Sequence, residues 1–456
     1  MTRKVTMDNR QQSAPYLPFE RMDNSKKKEA YVTPPLSVEP PKTASTSLKF
    51  LHPSEVQIPH TQSISCSDFK QTDLWKTDEE FMIILKDVEK AIKADILPER
   101  IHQGSSGSYF VKNTQGTIVG VFKPWDEEPY SEFNPKWVKL LHRTCCPCLF
   151  GRGCLMPNVG YISETAASMI DRHFGLGIVP RTEIVNLTSP SFNHGWFTSE
   201  PKTKIGSFQL YVNGLLPSQE TVKLLSIAQT RYPHVAFALQ LEFEKLVVLD
   251  YLIRNTDRSW DNWLLCVEWR DVETNSILST YPLPPADLAE TAKPNIKVIG
   301  IDHGLAFPWK HPDQWRSYPY SWIDLELAQT PFSEHLKAHL LPILRDASNW
   351  DLLIDTLLSP IFKQENTFSD RLFRRQMSVL RGQMRNLLVA LEAGYSPYQL
   401  VKQLPDIRLE ADDEMFAHRY GARLDRGGFE MDAFFTDPER RMWRKKVQAR
   451  PCFSFF

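Results

Sequence analysis

The clearest hydrophobic pattern in the chain lies at 370–393, where apolar residues recur every three or four positions. The stripe consists of Phe373, Met377, Leu380, Met384, Leu387 and Leu391. This period is that of one face of an α-helix, and Gly394 is the expected stop after it. The pattern predicts a helix that packs on the core, within a region that is helical from residue 333 onward.

Three further segments show helical spacing: 79–96, 161–174 and the apolar run that begins at Leu246. In the last of these, Leu246, Leu249 and Ile253 fall near one face before the sequence turns polar. We predict helices at all three places.

Shorter patterns predict strands. The β-rich runs 108–112 and 117–123 flank an Asn-Thr-Gln-Gly turn and predict a hairpin. A β run at 206–212 precedes an Asn-Gly pair. The segment 297–304 begins with a short apolar strand that ends in Asp302, and His303-Gly304 follows it. The stretch 267–295 is polar and rich in proline, so we predict an irregular insert there.

Composition changes this picture at the ends of the chain. Residues 1–75 are rich in Pro, Ser, Thr and Lys and lack sustained periodicity, which predicts a disordered tail. The remaining chain is divided into a 76–212 lobe, a helical 213–425 lobe and a basic, aromatic tail at 426–456.

Overall charge points to no polyanionic partner, since 54 basic residues face 55 acidic ones. We therefore predict no nucleic-acid partner. No run of about 18 apolar residues predicts a membrane-spanning helix, and the first residues lack a signal-peptide pattern. Seven cysteines, an odd number, indicate a reducing compartment. The sequence favours a cytosolic protein or one bound to the cytosolic side of a membrane.

A candidate phosphate loop precedes the hairpin. It consists of Gly104, Ser105, Ser106, Gly107 and Ser108. Glycines let a backbone approach phosphate oxygens closely, and amides and hydroxyls can donate to them; the alternative is a surface turn. By strand alternation Lys123 points inward with Val119 and Val121, where it needs an anionic partner. Glu164, on a predicted helix, is the candidate.

A candidate catalytic loop follows the run at Leu246. Asp257 and Asn262 stand five residues apart, which is the spacing of the kinase catalytic loop. Asp302 stands 45 residues after Asp257, before His303-Gly304, where a kinase holds Mg²⁺ against the phosphates. Taken alone, the Asp–Asn pair also fits a solvated turn.

The segment 137–154 combines basic residues with four cysteines: Cys145, Cys146, Cys148 and Cys154. A zinc site lacks a second pair of ligands, whereas cysteines beside a basic amphipathic stretch are a usual setting for thioester lipidation. We predict membrane anchoring by acyl chains here. The aromatic, proline-broken loop 307–322 favours insertion at a membrane interface over ordinary core packing.

Together these residues resemble the type II phosphatidylinositol 4-kinases. The resemblance covers about 102–397, through QGSSGSYFVK, GVFKPWDEEPY, NPKW, CCPC, VPRT, GSFQLYV, LVVLDYLIRNTDR, IDHGLAFP and KHPDQWR. It implies an α+β, bilobal, protein-kinase-like fold with a small β-rich N-lobe and a mainly helical C-lobe. The implied activity is transfer of phosphate from ATP, with Mg²⁺, to the 4-hydroxyl of phosphatidylinositol on Golgi, endosomal and plasma membranes. Trafficking adaptors are possible partners.

The resemblance also implies residue roles. The 104–108 loop holds phosphates and Lys123 binds ATP. Asp257 is the catalytic aspartate, and Asn262 and Asp302 serve catalysis and the metal. The hinge consists of Gln209, Leu210, Tyr211 and Val212, and the substrate-side residues are Glu127, Glu128, Pro129 and Tyr130.

Some positions depart from the family pattern. Ser259 and Trp260 replace Gly and Asn, His303 replaces Asn, and Leu149 replaces the last cysteine of its motif. We expect kinase activity. The sequence leaves open how Ser259 and Trp260 affect the backbone of the catalytic loop. A protein kinase and a lipidated scaffold with a weakly active kinase fold are the alternatives. The loop reads Arg-Asn-Thr-Asp rather than His-Arg-Asp, and no Ala-Pro-Glu follows, which favours a lipid kinase.

Overall fold

The computed structural model describes residues 77–102, 106–128, 152–193, 202–229, 232–283, 292–312 and 318–403, and the backbone of three short strands at 406–410, 429–431 and 442–446. The predictions for the 1–75 tail, Gly104, Ser105, Pro129, Tyr130, Cys145, Cys146, Cys148 and Leu149 lie outside the described residues. The fold class is confirmed as α+β, with a β-sheet region followed by a largely helical one.

The first sheet has five antiparallel strands in the order β1-β2-β3-β5-β4. They are β1 (Glu99–Ile101), β2 (Ser108–Lys112), β3 (Ile118–Pro124), β4 (Thr182–Ser189) and β5 (Lys202–Leu210). The predicted hairpin is β2–β3, closed by Asn113 N donating to Thr117 O at 2.9 Å, with Gly116 at a φ of +80°. A left-handed residue at this turn suits glycine, which has no Cβ to clash.

Helix α1 (Asp78–Lys93) covers this sheet, as its spacing predicts. Thr77 caps it: the Thr77 side chain accepts from Glu80 N, and the Glu80 side chain accepts from Thr77 N. Reciprocal capping satisfies backbone donors that a helix start leaves free. The apolar face of α1 packs with Phe122 and Phe208 of the sheet, and this cluster is the smaller of two main cores.

The second sheet includes part of the segment 267–295, for which the sequence predicts an irregular insert. Its strands are β6 (Leu216–Pro217), β7 (Trp263–Asp271), β8 (Ile277–Ser279) and β9 (Ala292–Gly300). β7 pairs antiparallel with β9 from Trp263↔Gly300 to Asp271↔Ala292, so the predicted irregular insert at 267–295 is wrong over most of the part that the structure describes. The inward side of β7 is Trp263, Leu265, Val267 and Trp269, all buried. This alternation of period two outweighs the local polar and proline content.

The helices enclose the larger core. They are α2 (Gly160–His173), α3 (Ser218–Gln229), α4 (Pro233–Leu252), α5 (Glu334–Arg345), α6 (Ala347–Asp351), a π-helical segment (Leu352–Leu358), α7 (Ser359–Phe362), α8 (Asp370–Glu392) and α9 (Pro397–Lys402). The predicted stripe of α8 is confirmed, since all six residues are buried, and Gly394 follows with a φ of +70°. None of the helices in the described ranges is both apolar and long enough to span a bilayer.

Short 3₁₀ segments lie at Trp125–Glu127, Trp260–Asn262 and Glu326–Gln329. A small antiparallel sheet, β10 (Asp406–Glu410), β12 (Met442–Lys446) and β11 (Phe429–Met431), follows α9. Helix α2 precedes β4 in the chain, yet its apolar residues join the larger core with α4 and α8. Between the two cores lies a small cluster of Val212 and Ile299, flanked by Leu215 and Ile301.

Candidate active site

Lys123 lies at the end of β3 and points away from the smaller core. Its ammonium nitrogen Nζ is 2.5 Å from Oε1 of Glu164 on α2 and 3.1 Å from Oδ1 of Asp302, just after β9. The predicted pairing of Lys123 with Glu164 is confirmed. One cation therefore joins the first sheet, helix α2 and the segment after β9.

Glu164 fixes this arrangement from a buried position. Its second oxygen, Oε2, accepts a hydrogen bond from the backbone N–H of His303 at 2.9 Å. Burial raises the pKa of Glu164, although the Lys123 ammonium opposes this shift. Both carboxylate oxygens thus have donors, which a buried acid requires.

Asp302 is the exposed member of the cluster, with 52% of its side chain accessible. Its φ of +55° is a left-handed conformation that is uncommon outside glycine. The Lys123 ammonium holds the pKa of Asp302 below its usual value, so the carboxylate is ionised. Burial alone would lower the pKa of Lys123, but attraction to Asp302 and Glu164 raises it overall. The cluster is a charged platform that opens to solvent at Asp302.

The candidate catalytic loop follows α4 and is held by its own polar side chains. Asn255 Oδ1 accepts from Asp257 N at 2.9 Å, and Asn262 Nδ2 donates to Asp257 O at 2.7 Å. The Asp257 side chain is 41% exposed. Ile301 N donates to Asn262 O at 3.1 Å, and this strand register puts Asn262 beside Asp302 in space.

Arg258 is the buried support of this loop. Its Nε lies 2.9 Å from Oδ1 of Asp250, at the end of α4, and both side chains are fully buried. Its other nitrogens contact Ile301 O at 2.9 Å, Asn262 O and His303 Nδ1 at 3.0 Å. Because guanidinium only donates, His303 Nδ1 accepts, and burial lowers the pKa of this histidine well below its usual value. The loop and the segment after β9 therefore share one anchor.

Asp302 and Asn262 fit a magnesium site by their chemistry. The Asn262 amide nitrogen is used within the loop, which leaves its side-chain oxygen available to a cation. Mg²⁺ prefers oxygen ligands and completes its shell with phosphates and water in kinases. Among the described residues, no group of three or more His, Cys, Asp or Glu side chains is arranged to hold a metal ion.

The described part of the phosphate loop shows why a glycine is needed. Gly107 N donates to Glu127 O at 2.9 Å, and a Cβ on Gly107 would lie 2.1 Å from Glu127 Oε2. No side chain fits in that space. Ser106 is half-buried and Ser108 is buried at the start of β2. Phosphate binding by this loop stays a prediction.

The hinge residues connect the two cores. Leu210 N donates to Arg181 O and Tyr211 N to Val119 O, both at 3.0 Å. The Gln209 side chain donates to Thr182 Oγ1 at 3.0 Å, so it serves the sheet. Val212 is buried in the small cluster described above. Adenine binding here stays a prediction.

Glu127 and Glu128, which are predicted on the substrate side, are buried and bound within the protein. Glu127 accepts from Tyr109 Oη at 2.9 Å and lies 2.7 Å from Lys204 Nζ. Glu128 accepts from the N–H groups of Gly160 and Tyr161 at 3.0 and 2.9 Å, at the start of α2. These contacts connect the turn after β3 to Gly107 and to the start of α2, and a substrate-side role for the two glutamates stays a prediction.

The structure also bears on two predicted membrane contacts, acylation of Cys154 and insertion of the aromatic loop 307–322. Cys154 is buried and burial raises the pKa of its thiol, which argues against acylation at this cysteine. A thiol out of reach and in its neutral form is a poor nucleophile. Phe307, Tyr320 and Trp322 are likewise core residues, and the interface prediction is wrong for them. Half-buried Trp309 and Tyr318 remain candidates.

The departures in the catalytic loop are accommodated. Ser259 has a φ of −81° and a ψ of 172°, an extended conformation that needs no glycine. Trp260 stacks on Trp263, with ring centroids 5.6 Å apart and planes at 27°, and its carbonyl accepts from Ser218 Oγ at 2.7 Å. Neither substitution strains the backbone that carries Asp257 and Asn262.

Arg152 is a site residue that the sequence did not single out for this position. Its Nη2 lies 2.7 Å from Asp257 Oδ1, and its Nη1 donates to the Thr256 carbonyl. Arg152 precedes Asp257 by 105 residues and belongs to no kinase motif, so spacing offered no signal.

Kinases pair a strand lysine with a helix glutamate and hold Mg²⁺ with an aspartate near that lysine. Beside these groups they have a catalytic loop with an Asp and an Asn, and together these residues bind and transfer a phosphoryl group. The class of protein is therefore a kinase. The sequence model of the family "Phosphatidylinositol 3- and 4-kinase" matches residues 104–358, and the chain belongs to this family.

Curated relatives agree with this assignment. The chain is 43% identical over 356 residues to phosphatidylinositol 4-kinase type 2-beta of Xenopus tropicalis, covering 73% of this chain and 72% of the relative. It is 41% identical over 363 residues to the type 2-beta protein of Mus musculus, covering 75% and 76%. The type 2-alpha protein of Xenopus laevis is 41% identical over 374 residues, covering 76% and 77%.

Proposed function

We propose that this chain is an ATP-dependent kinase that phosphorylates the 4-hydroxyl of phosphatidylinositol at the cytosolic face of membranes. The observation that carries the proposal is a connected set of contacts. Lys123 pairs with Asp302, and the loop that carries Asp257 and Asn262 is hydrogen-bonded to the segment that carries Asp302. The names of relatives at 41–43% identity support the lipid substrate and the position of the hydroxyl.

The chain's own residues have distinct tasks in this reaction. Lys123 contacts phosphate oxygens of ATP, and Glu164 keeps its ammonium at the end of β3. Asp257 orients the inositol hydroxyl and accepts its proton while the oxygen attacks the γ-phosphorus and ADP leaves. Asn262 and Asp302 would hold Mg²⁺, which neutralises charge that develops on the transferred group.

A competition between substrates tests this function. Radiolabelled ATP is offered with phosphatidylinositol vesicles, and separately with a generic protein substrate. Label in a lipid that carries its phosphate at the 4-position is the expected result. Transfer to protein alone would indicate a protein kinase, and transfer to neither would indicate a scaffold with a kinase fold; both contradict the proposal.

We also propose that acyl chains on Cys145, Cys146 and Cys148 attach the protein to Golgi, endosomal or plasma membranes. The support is sequence context, since these cysteines follow a basic amphipathic stretch. Two or more chains hold a protein firmly, whereas basic residues alone release it when salt shortens the screening length to about 3 Å at about 1 M.

A salt wash of cell membranes separates the two modes. The wild type is expected to stay bound at high salt and to be released by hydroxylamine, which cleaves thioesters. Replacing Cys145, Cys146 and Cys148 by Ser is expected to make binding salt-sensitive, whereas Cys154→Ser serves as the control that keeps salt-resistant binding. A triple variant that resists salt as well as wild type would contradict lipidation here.

A further inference from the structure

We infer that Arg152 is a positioning residue for Asp257: its guanidinium fixes the carboxylate so that one oxygen is held and the other faces the inositol hydroxyl. The inference rests on the proposed function and adds a residue to its site. It starts from the ion pair between Arg152 Nη2 and Asp257 Oδ1, at 2.7 Å.

The contact is anchored at more than one point. Besides Asp257, Arg152 donates to the carbonyl of Thr256, the preceding residue of the catalytic loop. Its guanidinium carbon also lies 4.5 Å from the ring centroid of Tyr318. A planar guanidinium held on two acceptors and an aromatic face has little freedom to turn away.

The backbone of Arg152 is fixed as well. Leu155 N donates to Arg152 O at 2.8 Å and closes a turn, and Trp309 N donates to Cys154 O at 2.9 Å. The buried Cys154 side chain anchors this turn against the fold. Cys154 therefore has a structural task that explains its burial.

The geometry divides the two oxygens of Asp257. Oδ1 binds Arg152, and within the described ranges no hydrogen bond to Oδ2 is formed. The Asp257 side chain is 41% exposed, which leaves Oδ2 as the oxygen available to a substrate. Without Arg152 the carboxylate could rotate, and a misplacement of about 1 Å in an active site can cost roughly 100-fold in rate.

The same contact could instead block the site, and the two cases predict opposite results. A blocking arginine would slow the wild type, so its removal would raise turnover. A positioning arginine does not affect nucleotide binding. Lys123 contacts the phosphates and Asp302 would hold the metal, and neither residue lies on the catalytic loop. Removal of Arg152 should then lower kcat and spare KM for ATP.

The test is a double-mutant cycle with Arg152→Ala, Asp257→Asn and the double variant, assayed with ATP and phosphatidylinositol vesicles. We expect Arg152→Ala to lower kcat by about 10- to 100-fold, with KM for ATP and affinity for a non-hydrolysable ATP analogue within about twofold of wild type. In the Asp257→Asn background, Arg152→Ala should change kcat by less than about twofold, because its partner's role is already lost.

Arg345→Ala is the control, since Arg345 forms an exposed pair with Glu392 at 3.0 Å. Arg152→Lys keeps the charge without the fork and should retain an intermediate kcat. If Arg152→Ala does not fold, Arg152→Lys is tested in its place, and the inference again expects a lowered kcat with an unchanged KM for ATP.

Unchanged or raised kcat in Arg152→Ala, or additive losses in the cycle, would overturn the inference. Slow phosphoryl transfer to water is measured in the same samples. A wild type that hydrolyses ATP but does not label phosphatidylinositol contradicts the proposed function alone, and the variants are then compared by hydrolysis.

Discussion

Two arginine–aspartate pairs hold the catalytic loop, and they differ in exposure and in the number of carboxylate oxygens that the arginine contacts: Arg258 contacts both oxygens of Asp250, whereas Arg152 contacts one oxygen of Asp257. Arg258 and Asp250 are 2.9 Å apart and fully buried, whereas Arg152 and Asp257 are 2.7 Å apart with 22% and 41% of their side chains exposed. The buried carboxylate also accepts from Trp322 Nε1 at 2.9 Å and from Asn255 Nδ2 at 3.3 Å, so its acceptors are used within the protein. The exposed carboxylate keeps an open oxygen.

This difference separates a supporting pair from a reacting one. A buried pair loses much of its attraction to desolvation but is costly to break, because one charge is left without a partner. A partly exposed pair contributes little to stability, and the carboxylate oxygen that the arginine does not hold can meet a substrate. The same two residue types thus serve stability in one place and chemistry in the other.

The buried pair should show the largest effect on stability. Arg258→Met leaves Asp250 buried without its cation and is expected to lower the free energy of unfolding by about 3–5 kcal/mol. Adding Asp250→Asn should restore part of this loss, because the charge is then removed. The measurement is denaturant unfolding. Arg345→Ala is the surface control, with an expected loss of at most about 1 kcal/mol. A similar small loss for Arg258→Met would remove the distinction between the pairs.

Lys123 is a third cation of the site, and we propose that it contacts the phosphates of ATP. Lys123→Ala removes a preorganised charge from the phosphates, and we expect kcat/KM for ATP to fall by about 100- to 1,000-fold. Steady-state kinetics and titration with a non-hydrolysable analogue measure this. Lys112→Ala is the matched control on the same sheet, since Lys112 pairs with exposed Glu99 at 3.0 Å. Unchanged affinity together with unchanged turnover would mean that Lys123 serves Glu164 only.

Glu128 offers a smaller, pH-dependent effect. Burial raises its pKa from the usual value near 4.5 to about 7, against the two N–H groups of α2 that favour its charged form. The folded protein then binds this proton more tightly than the unfolded chain, so stability falls as pH rises between about 4.5 and 7.

Glu128→Gln removes that titration. Its stability relative to wild type should rise by up to about 3 kcal/mol between pH 5 and pH 8. Unfolding is measured at both values, with Glu334→Gln, an exposed glutamate at the start of α5, as control. A difference that does not change with pH, or that changes in the opposite direction, would contradict the burial argument.

Much of the site was predictable because most of its residues lie at or just beyond the ends of regular elements. The hairpin pattern placed Lys123 near the end of β3, and the apolar runs placed Asp257 after α4 and Asp302 after β9. Glu164 instead lies in the second turn of α2. Strand β7 was missed because proline and polar residues were weighed above the alternation of its tryptophans. Arg152 could not be found, since it reaches Asp257 only through the tertiary fold. The contacts of Glu127 with Lys204 and of Glu128 with the start of α2 were not predicted, because a motif does not reveal which carboxylates meet buried lysines or cap helices.

The most direct test of the account compares Asp257→Asn with wild type in the phosphatidylinositol assay. Because Asp257 is read as the proton acceptor and its pair with Arg152 contributes little to folding, kcat should fall by at least about 100-fold. The melting temperature should stay within about 2 °C, since an exposed pair is worth at most about 1 kcal/mol. Retention of a third of wild-type turnover, at an unchanged melting temperature, would contradict the assignment of Asp257 as the reacting carboxylate.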